Sequence, residues 1–260
     1  MRIVIAVLIW LAVHGSTRAE VQTKTIEYRD GDLVLEGYVA WDPVKADHAA
    51  PGVLVVHQWL GLTEYEQSRC KQLAELGYVA LALDIYGRGV RPTNMQQASQ
   101  MSGTYKADRQ LYRRRLLLGL EQLRKQQGVD PSKLVAIGYC FGGTGVIELA
   151  RSGADIDGVV SFHGGLDSPT STDGQRIKSK ILICHGADDP FVPKADIEAM
   201  QAEFNAAKVD WQMISYSGTV HSFTQPMAGN DNSLGAAYNA SADKRSWKAM
   251  QQFFDELFKQ

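Results

Sequence analysis

The chain is poor in cysteine: Cys70, Cys140 and Cys184 are the only three in 260 residues. Three thiols cannot build the disulfide framework of a small secreted scaffold. Proline is sparse at 8, and the 24 glycines follow no G-X-Y period, which excludes a collagen-like chain. Neither sign of charge dominates, since 27 basic residues face 29 acidic ones for a formal charge of −2. Nucleic acid is a poor partner for such a surface, because phosphate binding needs a basic footprint. No repeat, linker-like stretch or shift in composition marks a second domain. Apolar runs of the roughly 20 residues needed to span a bilayer are also missing. What is present, 45% hydrophobic and 22% charged residues, suits one α/β domain with a full core.

The N-terminus has its own pattern. Arg2 precedes an unbroken apolar run of 11 residues, Ile3–Val13, and small, polar residues follow from Gly15. Thr17 and Ala19 place small side chains where a leader peptidase reads them. Residues 1–19 therefore read as a secretory signal peptide cut after Ala19, leaving 20–260 as a single exported domain, periplasmic or secreted. No cysteine follows the run, which argues against a lipoprotein. The cleaved chain carries 25 basic and 29 acidic residues, and no membrane contact is expected of it.

From Val21 onward short apolar runs alternate with helical patterns. Thr23–Tyr28 and Leu33–Ala40 flank Arg29-Asp30-Gly31-Asp32, the signature of an N-terminal hairpin with an Asp-Gly turn. Val53–His57 follows Pro51-Gly52 as a β-branched run, the mark of a strand buried on both faces. Glu64–Leu76 puts Cys70, Leu73 and Leu76 on one helical face and stops at Gly77, and strand Val79–Leu83 follows. Met95–Gln127 is helical in pattern, with Leu116, Leu120 and Leu123 at core spacing. Its run Arg113-Arg114-Arg115 reads as a solvated helix face.

Strand Leu134–Ile137, helix Thr144–Arg151, and strands Gly158–Phe162 and Lys180–His185 come next. Helix Lys194–Ala207, strand Trp211–Tyr216 and helix Asp243–Phe258 close the chain. This alternation predicts a mostly parallel central sheet with helices on both faces. Such sheets bind ligands beyond the carboxyl ends of their strands. Of six histidines, His14 falls in the leader and His48 in a loop, while His57, His163, His185 and His221 all follow apolar runs at strand ends.

The strongest local signal is Gly138-Tyr139-Cys140-Phe141-Gly142 between a buried strand and a helix: a G-x-C-x-G nucleophile elbow with cysteine in the serine position. The apex side chain stands at a helix N-terminus, whose partial positive charge favours thiolate over thiol. A nucleophile needs a base, and the base an orienting carboxylate, in the chain order nucleophile, acid, histidine. Gly186-Ala187-Asp188-Asp189-Pro190 supplies two acids after one strand, and Gly218-Thr219-Val220-His221-Ser222-Phe223 a histidine after the last.

These residues resemble the dienelactone hydrolase family of α/β-hydrolases. The likeness runs through VLVVHQWLGL at Val53–Leu62, LGYVALALDIYGRG at Leu76–Gly89 and GYCFGG at Gly138–Gly143, then G-x-x-D-x-x-V-P at Gly186–Pro193 and His221-Ser222-Phe223. The resemblance implies an α/β-hydrolase fold and a Cys140–His221–Asp189 triad, with Asp189 rather than Asp188 as the fourth position of G-x-x-D. It implies backbone oxyanion donors at Phe141 and Trp59, an acyl-enzyme, and no metal or organic cofactor. The partner is a small-molecule ester or lactone. Two departures stand out: Gln58 replaces the family's glutamate beside the thiol, and Gln225 stands where a carboxylate-binding arginine is expected. Gln58, Tyr86, Arg88, His163, Phe223 and Gln225 are the candidates for the substrate pocket, and the missing arginine points to neutral substrates. Cys70 and Cys184 read as core residues, and a bridge between them stays open on sequence grounds.

Two other classes compete. His57, His163, His185 and Asp189 could ligate a metal in a metal-dependent hydrolase, although none shows short ligand spacing. A hydrolase fold could also bind without catalysis, against which the intact triad order speaks.

Overall fold

The computed structural model describes residues 20–46, 49–170 and 172–258. Residues 1–19, which the sequence reading takes as a leader and which include His14, lie outside the described residues, as does His48. The fold follows from alternation at period 2 in its central strands. In β3 (Ala50–Val56), Val53 and Val55 face one side with Cys70, Leu73 and Ala74, while Leu54 and Val56 face the other with Leu116, Leu120 and Val146. Both faces are thus apolar and both are covered. The eight strands run in the order β1-β2-β4-β3-β5-β6-β7-β8. Those not yet located are β1 (Gln22–Asp30), β2 (Leu33–Trp41), β4 (Val79–Leu83), β5 (Val129–Tyr139), β6 (Gly158–Phe162), β7 (Lys180–Gly186) and β8 (Trp211–Tyr216). β1 and β2 pair antiparallel, as do β2 and β4, and the other neighbours are parallel. Helices α1 (Glu64–Glu75) and α6 (Ala240–Phe258) pack on one face. The other face carries α2 (Met95–Ala107), α3 (Arg109–Arg124), α4 (Phe141–Arg151) and α5 (Lys194–Ala206).

The structure revises several boundaries. The hairpin turn centres on Gly31-Asp32, because Asp30 already pairs with Leu33, and Gly31 takes φ 59 at its first central position. The helical stretch after Met95 is two helices. Asp108 breaks it at φ −108, ψ 84, and its carboxylate then caps the second helix by accepting from the Leu111 N–H at 2.9 Å. α4 starts at Phe141, directly after the elbow cysteine, rather than at Thr144.

The arginine run is not a solvated face. Only Arg114 is exposed, while Arg113 and Arg115 are buried and ion-paired to Glu148 and Asp30 respectively. Arg113 belongs to a buried ionic cluster across α3, α4 and α5. In it Arg151, wholly inaccessible, binds Glu148 at 3.1 Å and Glu203 at 2.6 Å. Charge along a helix looks the same in sequence whether it faces water or a carboxylate on the next helix. Cys70 and Cys184 are buried and free, as core thiols. No described helix is long and apolar enough to cross a membrane.

The ionic cluster fixes the far end of the elbow helix, so losing one member should be costly. Arg151→Met leaves Glu203 buried without its charge partner and should lower unfolding stability by about 3–5 kcal/mol. The paired Arg151→Leu, Glu203→Leu variant should lose less than the single one. Urea denaturation of the three proteins decides it.

Candidate active site

Glycine permits the sharp reversal between β5 and α4. A Cβ on Gly138 would fall 1.9 Å from the Gly142 carbonyl oxygen, and one on Gly142 would fall 2.2 Å from that of Val56. No side chain fits at either place. The reversal leaves Cys140 at φ 54, a left-handed conformation that costs a non-glycine residue free energy and is kept only where surroundings hold it. Its N–H is held twice, by the Phe162 carbonyl at 3.0 Å and by Nδ1 of His163 at 3.1 Å.

β7 and the loop after it bring in the acid, and the segment after β8 brings in the base. Nδ1 of His221 donates to Oδ2 of Asp189 at 2.8 Å, and Asp189 is buried. The other carboxylate oxygen accepts from the Phe191 N–H at 2.9 Å. Asp188 is exposed, and its N–H goes to the Thr219 carbonyl. Of the two acids, Asp189 is the one hydrogen-bonded to His221. Cys140 is near enough to His221 to act on its charge.

The thiol and imidazole reset one another. Burial pushes the Cys140 thiol up, but the charge and hydrogen bond of His221, the charge of Lys106 and the Phe141 N–H outweigh it, leaving the thiol below its ordinary value. Burial likewise pushes His221 down, yet the sulfur and Asp189 together raise it to about 10. Each group thus favours the charged form of the other. The Trp59 N–H has no protein acceptor among the described residues, and the Trp59 carbonyl is pinned by the Tyr86 hydroxyl at 3.0 Å. Trp59 and Phe141 thus place two N–H groups at the sulfur's edge of the sheet.

The family model for dienelactone hydrolases matches residues 35–258, most of the chain. The chain belongs to the dienelactone hydrolase family. A Caenorhabditis elegans protein of uncharacterized role is 37% identical over 55% of this chain and 92% of its own. A Synechocystis protein, provisionally named a carboxymethylenebutenolidase, is 24% identical over 92% of this chain and 99% of its own. A crystal structure of a dienelactone hydrolase-like promiscuous phosphotriesterase from metagenomic libraries is 41% identical, with a TM-score of 0.87, covering 92% of this chain and 99% of that one. The fold is accordingly that of an α/β-hydrolase, and the chain is a hydrolase.

Within this family member, three pocket candidates move out of the pocket. Arg88 points to solvent and pairs with Glu27 at 2.5 Å. Phe223 is fully buried behind His163, with ring centroids 5.1 Å apart, because Ser222 at φ 57 turns it inward. His163 is itself buried and acts on the Cys140 backbone. Its Nδ1 accepts there, so Nε2 carries the proton and donates to Thr224 Oγ1 at 2.8 Å. Tyr86 stays within electrostatic reach of Cys140 and packs on His57 and Phe141. Gln58 and Gln225 are nearly enclosed, and the amide nitrogen of Gln225 has no partner among the described residues.

Two of the four residues weighed as metal ligands, His57 and His163, have both ring nitrogens occupied. His57 donates from Nδ1 to the Gln58 carbonyl and accepts the Ile85 N–H at Nε2, so neither nitrogen is left to bind a cation. His163 is saturated in the same way. Among the described residues no group of three or more His, Cys, Asp or Glu could hold a metal ion.

Two site residues escaped the sequence reading. Glu66, fully buried, accepts from the Gln58 N–H at 3.3 Å and from the Thr63 N–H at 2.8 Å, which fixes the loop bearing Trp59. Its signal was legible: Thr63-Glu64-Tyr65-Glu66 is a capping box. Lys106, exposed at the end of α2, had no such signal.

The adjacent acids make a sharp comparison. Asp189→Asn should cut turnover by about a thousandfold, since the imidazole loses its orienting partner and its counter-charge. Asp188→Asn should stay within about twofold of the parent, as exposed charges far from the reacting atoms do. Steady-state rates of both variants on one activated ester test the pair.

Proposed function

We propose that the chain hydrolyses carboxylic esters or lactones through an acyl-enzyme on Cys140. The observation that carries this reading is the meeting, at one sheet edge, of an elbow cysteine at φ 54 with a histidine oriented by a buried aspartate at 2.8 Å. The Cys140 thiolate attacks the carbonyl carbon. Charge developing on the carbonyl oxygen is met by the Trp59 and Phe141 N–H groups, and one such donor is typically worth ~3 kcal/mol in the barrier. The His221 imidazolium gives its proton to the leaving oxygen, then takes one from the water that releases the acid. Every step uses the chain's own groups. A binding protein without turnover has no use for the mutual charging of Cys140 and His221, which supports catalysis over binding. A phosphotriester is a second candidate substrate, suggested by the 41% identical relative whose description names that activity. Export after removal of residues 1–19 is part of the same proposal and rests on the leader pattern.

Cys140→Ala should abolish ester hydrolysis while leaving the circular dichroism and melting of the protein unchanged. Iodoacetamide should label Cys140 well before Cys70 and Cys184, which are buried and whose thiols burial pushes up, that of Cys184 to about 12. The pH profiles should separate. As pH falls through the depressed thiol value the nucleophile is protonated, and labelling and turnover both slow. As pH rises through about 10 His221 loses its proton, so turnover falls while labelling persists. His221→Gln should slow labelling near neutrality.

Neutral substrates suit the pocket better than anionic ones. Arg88 is tied to Glu27, and the guanidinium of Arg91 is held by the Leu62 and Val90 carbonyls. Gln225 can donate a hydrogen bond but cannot offset a full negative charge. A neutral ester should therefore show higher kcat/KM than its carboxylate-bearing analogue. A preference for the anion of more than about tenfold, roughly 1.4 kcal/mol in the barrier, overturns this.

A further inference from the structure

Eight large apolar side chains are exposed among the described residues, and three of them lie in the loops that carry the acid and surround the base. Phe191, 59% exposed, follows Asp189 by two residues. Met227 and Leu234, the two most exposed of all, belong to the segment that leaves His221 and returns to it. That return is hydrogen-bonded: the His221 N–H donates to the Gly235 carbonyl at 3.1 Å, and the His221 carbonyl accepts the Ala237 N–H at 3.0 Å. An exposed apolar residue needs no explanation when it stands alone. Three in the loops that carry the acid and follow the histidine do, since burying a side chain of this size is worth about 1.5–3 kcal/mol.

Phe191 is held in place rather than free. Its ring meets the His221 imidazole edge-on, with centroids 5.5 Å apart and planes at 89°. On the other side it rests on the loop tip, where a Cβ on Gly235 would come within 3.1 Å of the ring. Its N–H is fixed to the triad acid at 2.9 Å, and Pro190 precedes it. His221 has two aromatic neighbours, His163 and Phe191. His163 is buried, so Phe191 alone presents a face to an incoming molecule.

Chemistry then decides which part of the substrate meets that face. In acylation the bond from Cys140 Sγ to the acyl carbon forms, and the bond from that carbon to the alcohol oxygen breaks. The carbonyl oxygen lies at the Trp59 and Phe141 N–H groups, while the proton on His221 must reach the departing oxygen. The first carbons of the alcohol therefore lie on the histidine side. Water next adds to the acyl carbon and gives a proton to His221, and the thiolate leaves as the acid forms. We propose that Phe191, with the loop tip at Leu234 and Gly235, is a leaving-group subsite that selects esters of aromatic or large apolar alcohols. This rests on the acyl-transfer reading of Cys140, His221 and Asp189.

The experiment compares three substrates: methyl acetate, benzyl acetate and methyl phenylacetate. Benzyl alcohol and methanol are similar in acidity, so leaving-group chemistry is matched, while methyl phenylacetate moves the ring to the acyl side. In Phe191→Ala the benzyl-acetate-over-methyl-acetate ratio of kcat/KM should fall about tenfold, and Phe191→Leu should recover part of it. The ratio of methyl phenylacetate to methyl acetate should stay within about twofold of the parent's. An equal fall on all three substrates would make Phe191 a mere support for Asp189 and overturn the subsite. A fall confined to methyl phenylacetate overturns it too, as does a change of oligomeric state in light scattering with both ratios unmoved. Should the parent cleave none of the three, the acyl-transfer reading fails, and binding decides the subsite separately. Ligand-observed NMR with benzyl alcohol should then give saturation transfer to the parent that Phe191→Ala loses, and equal transfer to both proteins overturns the proposal.

Discussion

The close approach of β5 and α4 is the constraint on which the rest of the site depends. Backbone meets backbone where Gly138 faces Gly142, and Gly142 faces the end of β3. That contact forces Cys140 into the left-handed region, at a typical cost of ~1–3 kcal/mol. The same contact aims the side chain off the sheet edge at the start of a helix. The strain is held from both ends of α4. At its start the Cys140 N–H is gripped by Phe162 and His163, and the Phe141 carbonyl accepts from Tyr112 at 2.6 Å. At its far end Glu148 and Arg151 are locked into the buried ionic cluster.

Three buried or nearly buried histidines around this point show how partners, not residue type, assign chemistry. His57 is buried, and burial lowers it to about 4; its two nitrogens tie the Gln58 carbonyl to the Ile85 N–H. His163 is also lowered, by burial and by the charge of His221, and its lone pair is given to the cysteine backbone. Burial acts on His221 in the same direction, but a sulfur on one side and a carboxylate on the other reverse the outcome. Two rings held toward the neutral form build the frame, and the third is held toward the charged form the proposed chemistry uses. A chain extends the frame outward: Thr224 takes the His163 proton, Tyr65 donates to Thr224, and Arg69 joins both to Asp243.

Much of this was legible in the sequence, for physical reasons that also explain the failures. Strands buried on both faces have one way to look, so Val53–Val56 and Val79–Leu83 announce themselves. The elbow is legible because only glycine survives at its contacts, whereas the choice of Asp189 over Asp188 came from the family resemblance alone. The failures share one cause. Whether Arg113 faces water or Glu148, and whether Phe223 lines a pocket or backs a histidine, depends on residues distant in sequence. Local periodicity carries no such information. The break at Asp108 is a milder case: the pattern persists across it, and only the cap shows that one helix has become two.

The charge arrangement carries the argument one step further. The family's glutamate beside the thiol is Gln58 here, and the buried acid of this loop is Glu66, whose carboxylate is spent on the N–H groups of Gln58 and Thr63. Burial raises Glu66, those hydrogen bonds oppose it, and the group acts as a clamp behind the loop rather than as a partner of the sulfur. Against burial, the influences on Cys140 are then a charged imidazole, a lysine and a backbone N–H, all favouring thiolate. In the proposed mechanism, thiolate, imidazolium and the Asp189 carboxylate together give the reacting centre one net negative charge. A second negative charge on the substrate would meet that field before it met any cation. Lys106 is exposed, and its influence is screened over about 8–10 Å of solvent. On the proposed acyl-transfer reading, the nucleophile's own charged state would therefore favour neutral carbonyls, whether or not an arginine stood nearby.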